Sequence, residues 1–387
     1  MHRIVAVFLL CAVAVPFAYV HAAFPVTSTK EDLLLKYEAA AAGGEKVRIL
    51  VMPGHEPEYG GAEYRTLKER DIAVEIANKI AAHLEANPRY EVIVARDTLA
   101  WHPELEGYFD RNWKGIQRFV KDKKKEMQKM LRKGAVEERE FQVEHNAAAT
   151  DVALRLYGIN KWANEYGIDL AIHVHLNDHM GHGLASPGVH SGFAVYVPDE
   201  HYGNASGSTA LGEALAKNLN KWNATSTLPI ENYGVVPSQS LIAMGSNNTA
   251  EFATVLVEYA YIYESKITYP EARGVVTDDF AYQTYKGVEE FFGNPVLGDY
   301  TLALPYVWKA EEIEEGTASP QIYALQVALH SLGFYPPAGE LLIGCPVSGY
   351  AGPCTTRALK VFQASKGLEQ TGSIGPRTKA ALQASGL

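Results

Sequence analysis

The 387-residue chain has few cysteines, no excess of positive charge and no long membrane-crossing run. Its formal net charge is −10 at pH 7, so it lacks the global basic footprint of a nucleic-acid-binding protein. Its longest N-terminal apolar run, Ile4 to Phe17, is too short to span a bilayer comfortably. Hydrophobic residues make up 47% and charged residues 21%, which is ordinary for a globular protein. The length allows one large domain and one small one.

The N-terminus has the features of an export signal. Arg3 precedes the apolar run, and small residues follow it at Ala22 and Ala23. This order predicts a secretory signal peptide over residues 1–22, and hence a periplasmic or extracellular protein with no stable membrane span after cleavage. An uncleaved anchor is the alternative. Lipidation at Cys11 is disfavoured because the bulky Leu10 stands where a small residue is expected.

Cleavage at this position would leave two cysteines, Cys345 and Cys354. They stand nine positions apart in a loop-rich segment, and in an exported chain such a pair predicts a disulfide. Half of a metal site is the other interpretation, but no third or fourth ligand stands nearby in the sequence.

The pattern after residue 44 predicts an α/β domain. Residues 23–44 form an N-terminal arm with a helix around 31–41. Strands and helices then alternate, which favours a twisted, mostly parallel sheet flanked by helices. The predicted strands are Val47–Met52, Tyr90–Ala95, Leu170–His175, Gly192–Val197 and Ala253–Ile262, and Lys68–Leu84 is an amphipathic helix.

Three further divisions follow from composition. Residues 110–149 are highly charged and are interpreted as an insert of one or two solvated helices, with a gating role as a hypothesis. Residues 294–318 have the proline and acidic residues of a linker. The α/β domain would therefore cover 45–293, and a small unit of three helices would cover 319–387.

Four chemically active side chains are predicted to meet at one sheet edge. In open α/β sheets, ligands collect beyond the carboxyl ends of the strands. A histidine follows the first strand, a glutamate opens the first long helix, a histidine ends the third strand and a glutamate lies on the fifth: His55, Glu69, His175 and Glu258. Two histidines and a carboxylate suit one Zn²⁺ with an open fourth position, and a second carboxylate can act as acid and base.

The residues alone leave one ligand undecided. His173 lies two positions before His175 and so shares its strand face, and His179 and His182 follow closely behind. Either His173 or His175 could bind the metal on this reasoning.

Four motifs then resemble a known family in the right order. Pro53-Gly54-His55 with Gly60-Gly61-Ala62 and Lys68-Glu69-Arg70-Asp71 is similar to P-G-H-G-G, G-A and E-K-D. The other three are Asp169 to Asn177, Ser191 to Tyr196 and Val255 to Glu258, which resemble D-L-F-I-S-I-H-A-N, S-G-x-E-V-Y and V-L-V-E. Over about residues 47–294 the chain thus resembles the zinc-dependent N-acetylmuramoyl-L-alanine amidases of the third class.

This resemblance implies hydrolysis of the amide between N-acetylmuramic acid and L-alanine in peptidoglycan. It implies His55, Glu69 and His175 as zinc ligands and Glu258 as the catalytic acid/base. His173 falls on the family's serine, so it and Asn177 are expected to support the site or contact substrate. Such amidases are often switched by protein partners, so an activator or regulator is also expected.

The chain departs from the family at two places. Glu56-Pro57 replaces two glycines after His55, and Tyr259-Ala260-Tyr261 replaces G-F-L after Glu258. These departures keep two alternatives open: a zinc peptidase that cuts within the stem peptide, and a wall-binding protein with an inactive amidase domain.

The C-terminal unit carries a resemblance of its own. Its pattern L-Q-x-x-L, L-G-F, T-x-x-A-L and F-Q over residues 325–363, followed by Gly372 to Leu382, is similar to the helical peptidoglycan-binding domain of wall hydrolases. A generic three-helix bundle is the alternative. The resemblance implies peptidoglycan as the partner of this unit, and hence that the exported protein is associated with the cell wall.

Overall fold

A computed structural model describes residues 23–139, 148–296, 303–309 and 313–386. The predicted signal peptide lies outside this range, as do residues 140–147 of the predicted insert and parts of the predicted linker. In the described part of the chain, no helix combines the length and the apolar character needed to cross a membrane.

A six-stranded, mostly parallel sheet forms the centre of the molecule, as predicted. Its spatial order is β4-β1-β5-β8-β6-β7. All neighbours pair in parallel except β6, which runs antiparallel to β8. A small antiparallel hairpin, β2–β3, lies apart from it. The strands are β1 Val47–Pro53, β2 Glu63–Tyr64, β3 Leu67–Lys68, β4 Tyr90–Val94, β5 Leu170–Asn177, β6 Ala194–Pro198, β7 Val235–Ser238 and β8 Ala253–Tyr261.

Helices cover both faces of the sheet and form the C-terminal unit. They are α1 Lys30–Ala41, α2 Glu69–Glu85, α3 Pro103–Arg132, α4 Thr150–Tyr166, α5 Ala205–Leu219, α6 Ser265–Thr268, α7 Pro270–Phe291, α8 Pro320–Ser331, α9 Pro353–Ser365 and α10 Pro376–Ala384. Side chains alternate along a strand, so β1 sends Ile49 and Val51 into the core shared with α2, α5 and α7. Leu50 and Met52 enter the second core, with α3 and α4.

The charged segment differs from the prediction of a solvated insert. α3 is one helix of 30 residues that begins at Pro103, seven residues before the predicted start. Its buried side chains recur at helical spacing and include Leu105, Phe109, Ile116 and Val120. They pack in the second core because the Leu50 face of β1 has to be covered. The lysines occupy the remaining, exposed part of the helix.

The C-terminal unit contains the three predicted helices and packs directly on α7. Its core is continuous with that of the sheet domain. Tyr269 before α7 stacks on Tyr350 with ring centroids 4.6 Å apart, and a Cβ on Gly349 would lie 2.5 Å from the Cβ of Ala272. The predicted disulfide between Cys345 and Cys354 is present. The described linker residues Leu304, Trp308 and Ile313 are buried, so this stretch is packed rather than a free tether.

Asp279 of α7 lies buried at this contact. Its Oδ2 has no hydrogen-bond partner among the described residues. Burial raises the pKa of its carboxyl to about 6, although hydrogen bonds from Gln283 and Tyr323 lower it. The folded state therefore holds a proton on Asp279 at pH values where the unfolded chain has released it.

We predict that stability falls as pH rises through this window. The Asp279 contribution is complete below about pH 4 and is lost as pH passes about 6, an effect of roughly 3 kcal/mol. The free energy of unfolding, measured with urea between pH 4 and 7, should decrease as pH rises, and Asp279→Asn should flatten this slope. Glu271→Gln, at an exposed glutamate in the first turn of the same helix, is the control and should keep the slope. An unchanged slope in Asp279→Asn would contradict the assignment.

Candidate metal centre

The sheet brings the four predicted side chains together. β1, β5 and β8 are adjacent, and His175 on β5 is in register with Glu258 on β8. His55 follows the end of β1, and Glu69 is the first residue of α2. One nitrogen from each histidine and one oxygen of Glu69 all lie within 4.8 Å of one another.

Two glycines allow this close approach. A Cβ on Gly54 would lie 2.3 Å from Cε1 of His175, and a Cβ on Gly61 would lie 2.8 Å from Cδ2 of His55. His55 itself has a left-handed backbone with φ of 67°, which is uncommon for a residue with a side chain. Such conformations persist where the surrounding structure enforces them, often at functional sites.

Glu69 joins the two histidines through its two oxygens. Its Oε2 lies 2.8 Å from Nε2 of His55, and its Oε1 lies 2.9 Å from Nδ1 of His175. The amides of Ala62 and Leu176 donate to the same oxygens at 2.7 and 3.1 Å. Burial alone would raise the pKa of Glu69, but its contacts with His55 and His175 outweigh burial and lower it. Glu69 is thus a buried carboxylate at the N-terminus of a helix, where negative charge is favoured.

This donor set fits a zinc ion. Bonds of about 2.0–2.1 Å in a tetrahedral site place ligand atoms about 3.3 Å apart, slightly farther than the contacts here. His55 Nε2 is buried and, among described groups, has no hydrogen-bond partner, although Glu69 Oε2 is only 2.8 Å away. The two atoms are close without the geometry of a hydrogen bond, as expected for two ligands directed at a common point.

His173 lies apart from this group. It is buried on β5. The three side chains that could hold a metal ion, called the candidate metal group from here on, include His175 instead. Burial, with a smaller effect of His175, lowers the pKa of His173 to about 3, so its imidazole is neutral. Its Nε2 has no hydrogen-bond partner within the described chain.

Glu258 and a residue that the sequence did not indicate, Glu231, form an acidic pair beside the candidate metal group. Glu258 is only 6% exposed, and its Oε2 has no hydrogen-bond partner in the described residues. Burial raises its pKa well above the usual range, and Glu69, Glu231 and Asp178 add to this. A carboxyl with high proton affinity can accept and return a proton.

Glu231 is fixed by four hydrogen bonds. The hydroxyls of Tyr196 and Tyr261 donate to it at 2.5 and 3.1 Å. The Asn177 amide donates to its two oxygens at 2.9 and 3.1 Å, so Asn177 supports Glu231. Glu231 stands alone in the loop between α5 and β7, without a motif that could have identified it.

Two arginines that the sequence also did not indicate hold the histidine loop. Arg96, after β4, donates to the carbonyls of Gly54 and Arg70, which are the chain neighbours of His55 and Glu69. Arg155 of α4 pairs with Glu56 at 3.0 Å and with Asp151 at 2.9 Å. Glu56, which departs from the family pattern directly after His55, is therefore tied to α4 by an ion pair.

Tyr259, which departs from the family pattern after Glu258, lies outside the candidate metal group. Its hydroxyl is 2.7 Å from Oγ1 of Thr284 on α7, so this side chain belongs to the core. Neither departure from the family pattern removes a member of the donor set.

Comparisons with known proteins give two kinds of match. Residues 318–382 match the family model described as "Putative peptidoglycan binding domain", which confirms the prediction for the C-terminal unit. Solved structures similar to this chain include N-acetylmuramoyl-L-alanine amidases, the class that the motifs resemble. A search of curated protein sequences gives no match.

Three of these structures show the extent of the likeness. Ami1 from Mycobacterium smegmatis is 14% identical, with 64% of this chain and 98% of that chain covered and a TM-score of 0.43. AmiC2 of Nostoc punctiforme is 17% identical, with 65% and 99% covered and a TM-score of 0.40. CwlD from Clostridioides difficile, in complex with the GerS lipoprotein, is 14% identical, with 64% and 99% covered and a TM-score of 0.41. At these values the likeness by itself assigns no activity to this chain.

We predict that His175→Ala abolishes stoichiometric zinc binding, because the site loses one of its three ligands. His173→Ser, which places the family's residue there, should retain zinc. Metal content after chelation and reconstitution measures both. Zinc retained by His175→Ala and lost from His173→Ser would reverse the ligand assignment.

We also predict that Arg155→Met weakens zinc binding by about tenfold, since partners that orient metal ligands typically contribute 10- to 100-fold to affinity. Competition with a chelating dye measures the affinity. Lys161→Met is the matched control, because Lys161 lies on the same helix and pairs with Glu165 instead. Equal affinities in the two variants would show that the Glu56–Arg155 pair does not position the loop.

Proposed function

We propose that this protein is an exported zinc amidase that hydrolyses the bond between N-acetylmuramic acid and L-alanine in peptidoglycan. The observation that carries the proposal is the group of His55, Glu69 and His175 beside Glu258, with its unpartnered Oε2. The order of the four sequence motifs favours an amidase over a stem-peptide peptidase. The match of residues 318–382 supports peptidoglycan as the binding partner.

The ligands in this proposal are His55, Glu69 and His175. Zinc bound there would lower the pKa of a bound water to about 7 and polarise the scissile carbonyl. Glu69 stays ionised, and the lowered pKa of His175, caused mainly by burial, keeps its ring neutral and able to act as a ligand. Arg96 and Arg155 hold the loop that presents His55.

Glu258 moves the proton in this proposal. It accepts a proton from the attacking water at Oε2 and gives it to the nitrogen of L-alanine as the C–N bond breaks. The products are the free lactyl carboxylate on the glycan and a stem peptide with a free amino group. Glu231 lies close enough to raise the proton affinity of Glu258, and its four hydrogen bonds keep it in place.

Three further parts of the proposal concern location, substrate binding and regulation. Cleavage after residue 22 would place the enzyme outside the cytoplasm, at the wall. Residues 319–387 would hold it on peptidoglycan while the catalytic domain acts. A protein activator or regulator remains a prediction; the CwlD amidase from Clostridioides difficile is in complex with a lipoprotein, GerS, in its solved structure.

We predict that Glu258→Gln lowers amide cleavage by at least about 100-fold while zinc content stays unchanged, because proton transfer by a positioned group typically contributes 10²- to 10⁴-fold. Digestion of purified peptidoglycan followed by mass analysis of the products measures cleavage. Glu251→Gln, the same change at an exposed glutamate just before β8, should cut at the wild-type rate.

The products of the wild-type digest test the reaction itself. Lactyl-bearing glycans with intact stem peptides support an amidase. Shortened stems would identify a peptidase instead. An inert protein that also retains no zinc would favour the inactive wall-binding alternative.

A further inference from the structure

An open groove of about 450 Å³ lies next to the loop that carries His55. We call it the α3 groove. One wall is formed by the residues just after His55, and the other by the first turns of α3 and the segment before it. Its lining includes three aromatic and three acidic residues: Tyr59, Trp101, Trp113, Glu58, Glu106 and Asp110.

The α3 wall presents its side chains in one row. Glu106, Asp110 and Trp113 stand at positions i, i+4 and i+7 of α3, so they share a face of the helix. Phe109 on the same turn is buried beneath them and fixes the helix against the sheet. One wall of the groove is thus carried by a helix that is packed into the second core.

The charge of the groove is unbalanced. Arg155 is the basic residue in its lining, and its guanidinium is already paired with Glu56 and Asp151. Within the described residues, Glu58, Glu106 and Asp110 have no ion-pair partner. Three carboxylates therefore face the groove without a cation to balance them.

Carboxylates and aromatic rings together recognise a cation. An ammonium group is attracted to the face of a tryptophan or tyrosine ring and to a carboxylate, and the rings also cover the aliphatic chain that carries it. The exposed side chain of Leu99 adds apolar surface to the same groove. These features favour an amine on a flexible aliphatic chain over an anion.

We propose that the α3 groove binds the free side-chain ammonium of the diamino residue in an uncross-linked stem peptide. The identity of this ligand rests on the proposed function. Glu56, the residue after His55, lines the groove, so a stem peptide attached to the scissile amide would be within reach of it. The groove would thereby select stem peptides whose amine is not already consumed in a cross-link. Neutral glycan chains are the competing ligand, and the test separates the two.

The probe is the tripeptide Nα-acetyl-L-Ala-γ-D-Glu-L-Lys-amide, whose only ammonium is on the lysine side chain. Calorimetric titration of the full chain should detect binding that weakens as salt is added. Acetylation of the lysine amine should weaken it by about fivefold or more, which corresponds to the contribution of one ammonium site on a protein surface.

Variants locate the binding to the groove. Asp110→Asn and Glu106→Gln should each weaken binding of the free-amine probe by about three- to fivefold and leave binding of the acetylated probe unchanged. Asp122→Asn is the matched control: it makes the same change in charge on an exposed part of α3, about 18 Å further along the helix. It should bind like the wild type.

Equal affinity for the free and acetylated probes would overturn the proposal, as would wild-type binding in Asp110→Asn and Glu106→Gln. Tighter binding of a tetramer of N-acetylglucosamine, lost in these variants, would assign the groove to glycan and also overturn it. Binding is measured here without turnover. A failure of the amidase proposal would therefore appear in the products of the peptidoglycan digest, whereas a failure of the groove would appear only in these titrations.

Discussion

The buried carboxylate of Glu69, in contact with both His55 and His175, is the constraint on which the site depends. A charge so deeply buried requires compensation, which here comes from two imidazoles, two backbone amides and the N-terminus of α2. That geometry in turn dictates the surroundings. Gly54 and Gly61 cannot carry side chains, and the backbone of His55 takes a left-handed conformation because its ring has to return toward Glu69.

Much of this edge could be predicted from the sequence, for a physical reason. Buried parallel strands have continuous apolar runs, so the sequence predicts β1, β5 and β8 as strands. The carboxyl ends of parallel strands lie at one edge of the sheet. His55, Glu69, His175 and Glu258 follow from that topology. The strand β7 was not predicted because it is short and contains Pro237, which is tolerated at the edge of the sheet. Its neighbour β6 was predicted, but its antiparallel direction could not be read from residues alone.

The supporting residues could not be predicted because their partners are distant in the chain. Arg96 donates to Gly54 across 42 positions, Asn177 donates to Glu231 across 54, and Arg155 meets Glu56 across 99. Only the folded chain brings them together. The position of α3 was mispredicted for a different reason. Lysines dominate its composition and suggest a solvated helix. Its apolar stripe through Leu105, Phe109 and Ile116 nevertheless packs it on the sheet face that holds Leu50 and Met52.

The helices that cover this face, α3 and α4, also lie beside the segment next to His55. Arg155 reaches from α4 to Glu56, one residue from His55, and the aromatic residues of α3 complete a wall of the adjoining groove. The C-terminal unit is coupled in a different way, through the core that it shares with α7. A packed contact of this kind fixes the direction in which the peptidoglycan-binding unit faces relative to Glu258. Under the proposed function, binding to the wall would then orient the edge that holds Glu258 as well as raise its local concentration, whereas a free tether would only raise the concentration.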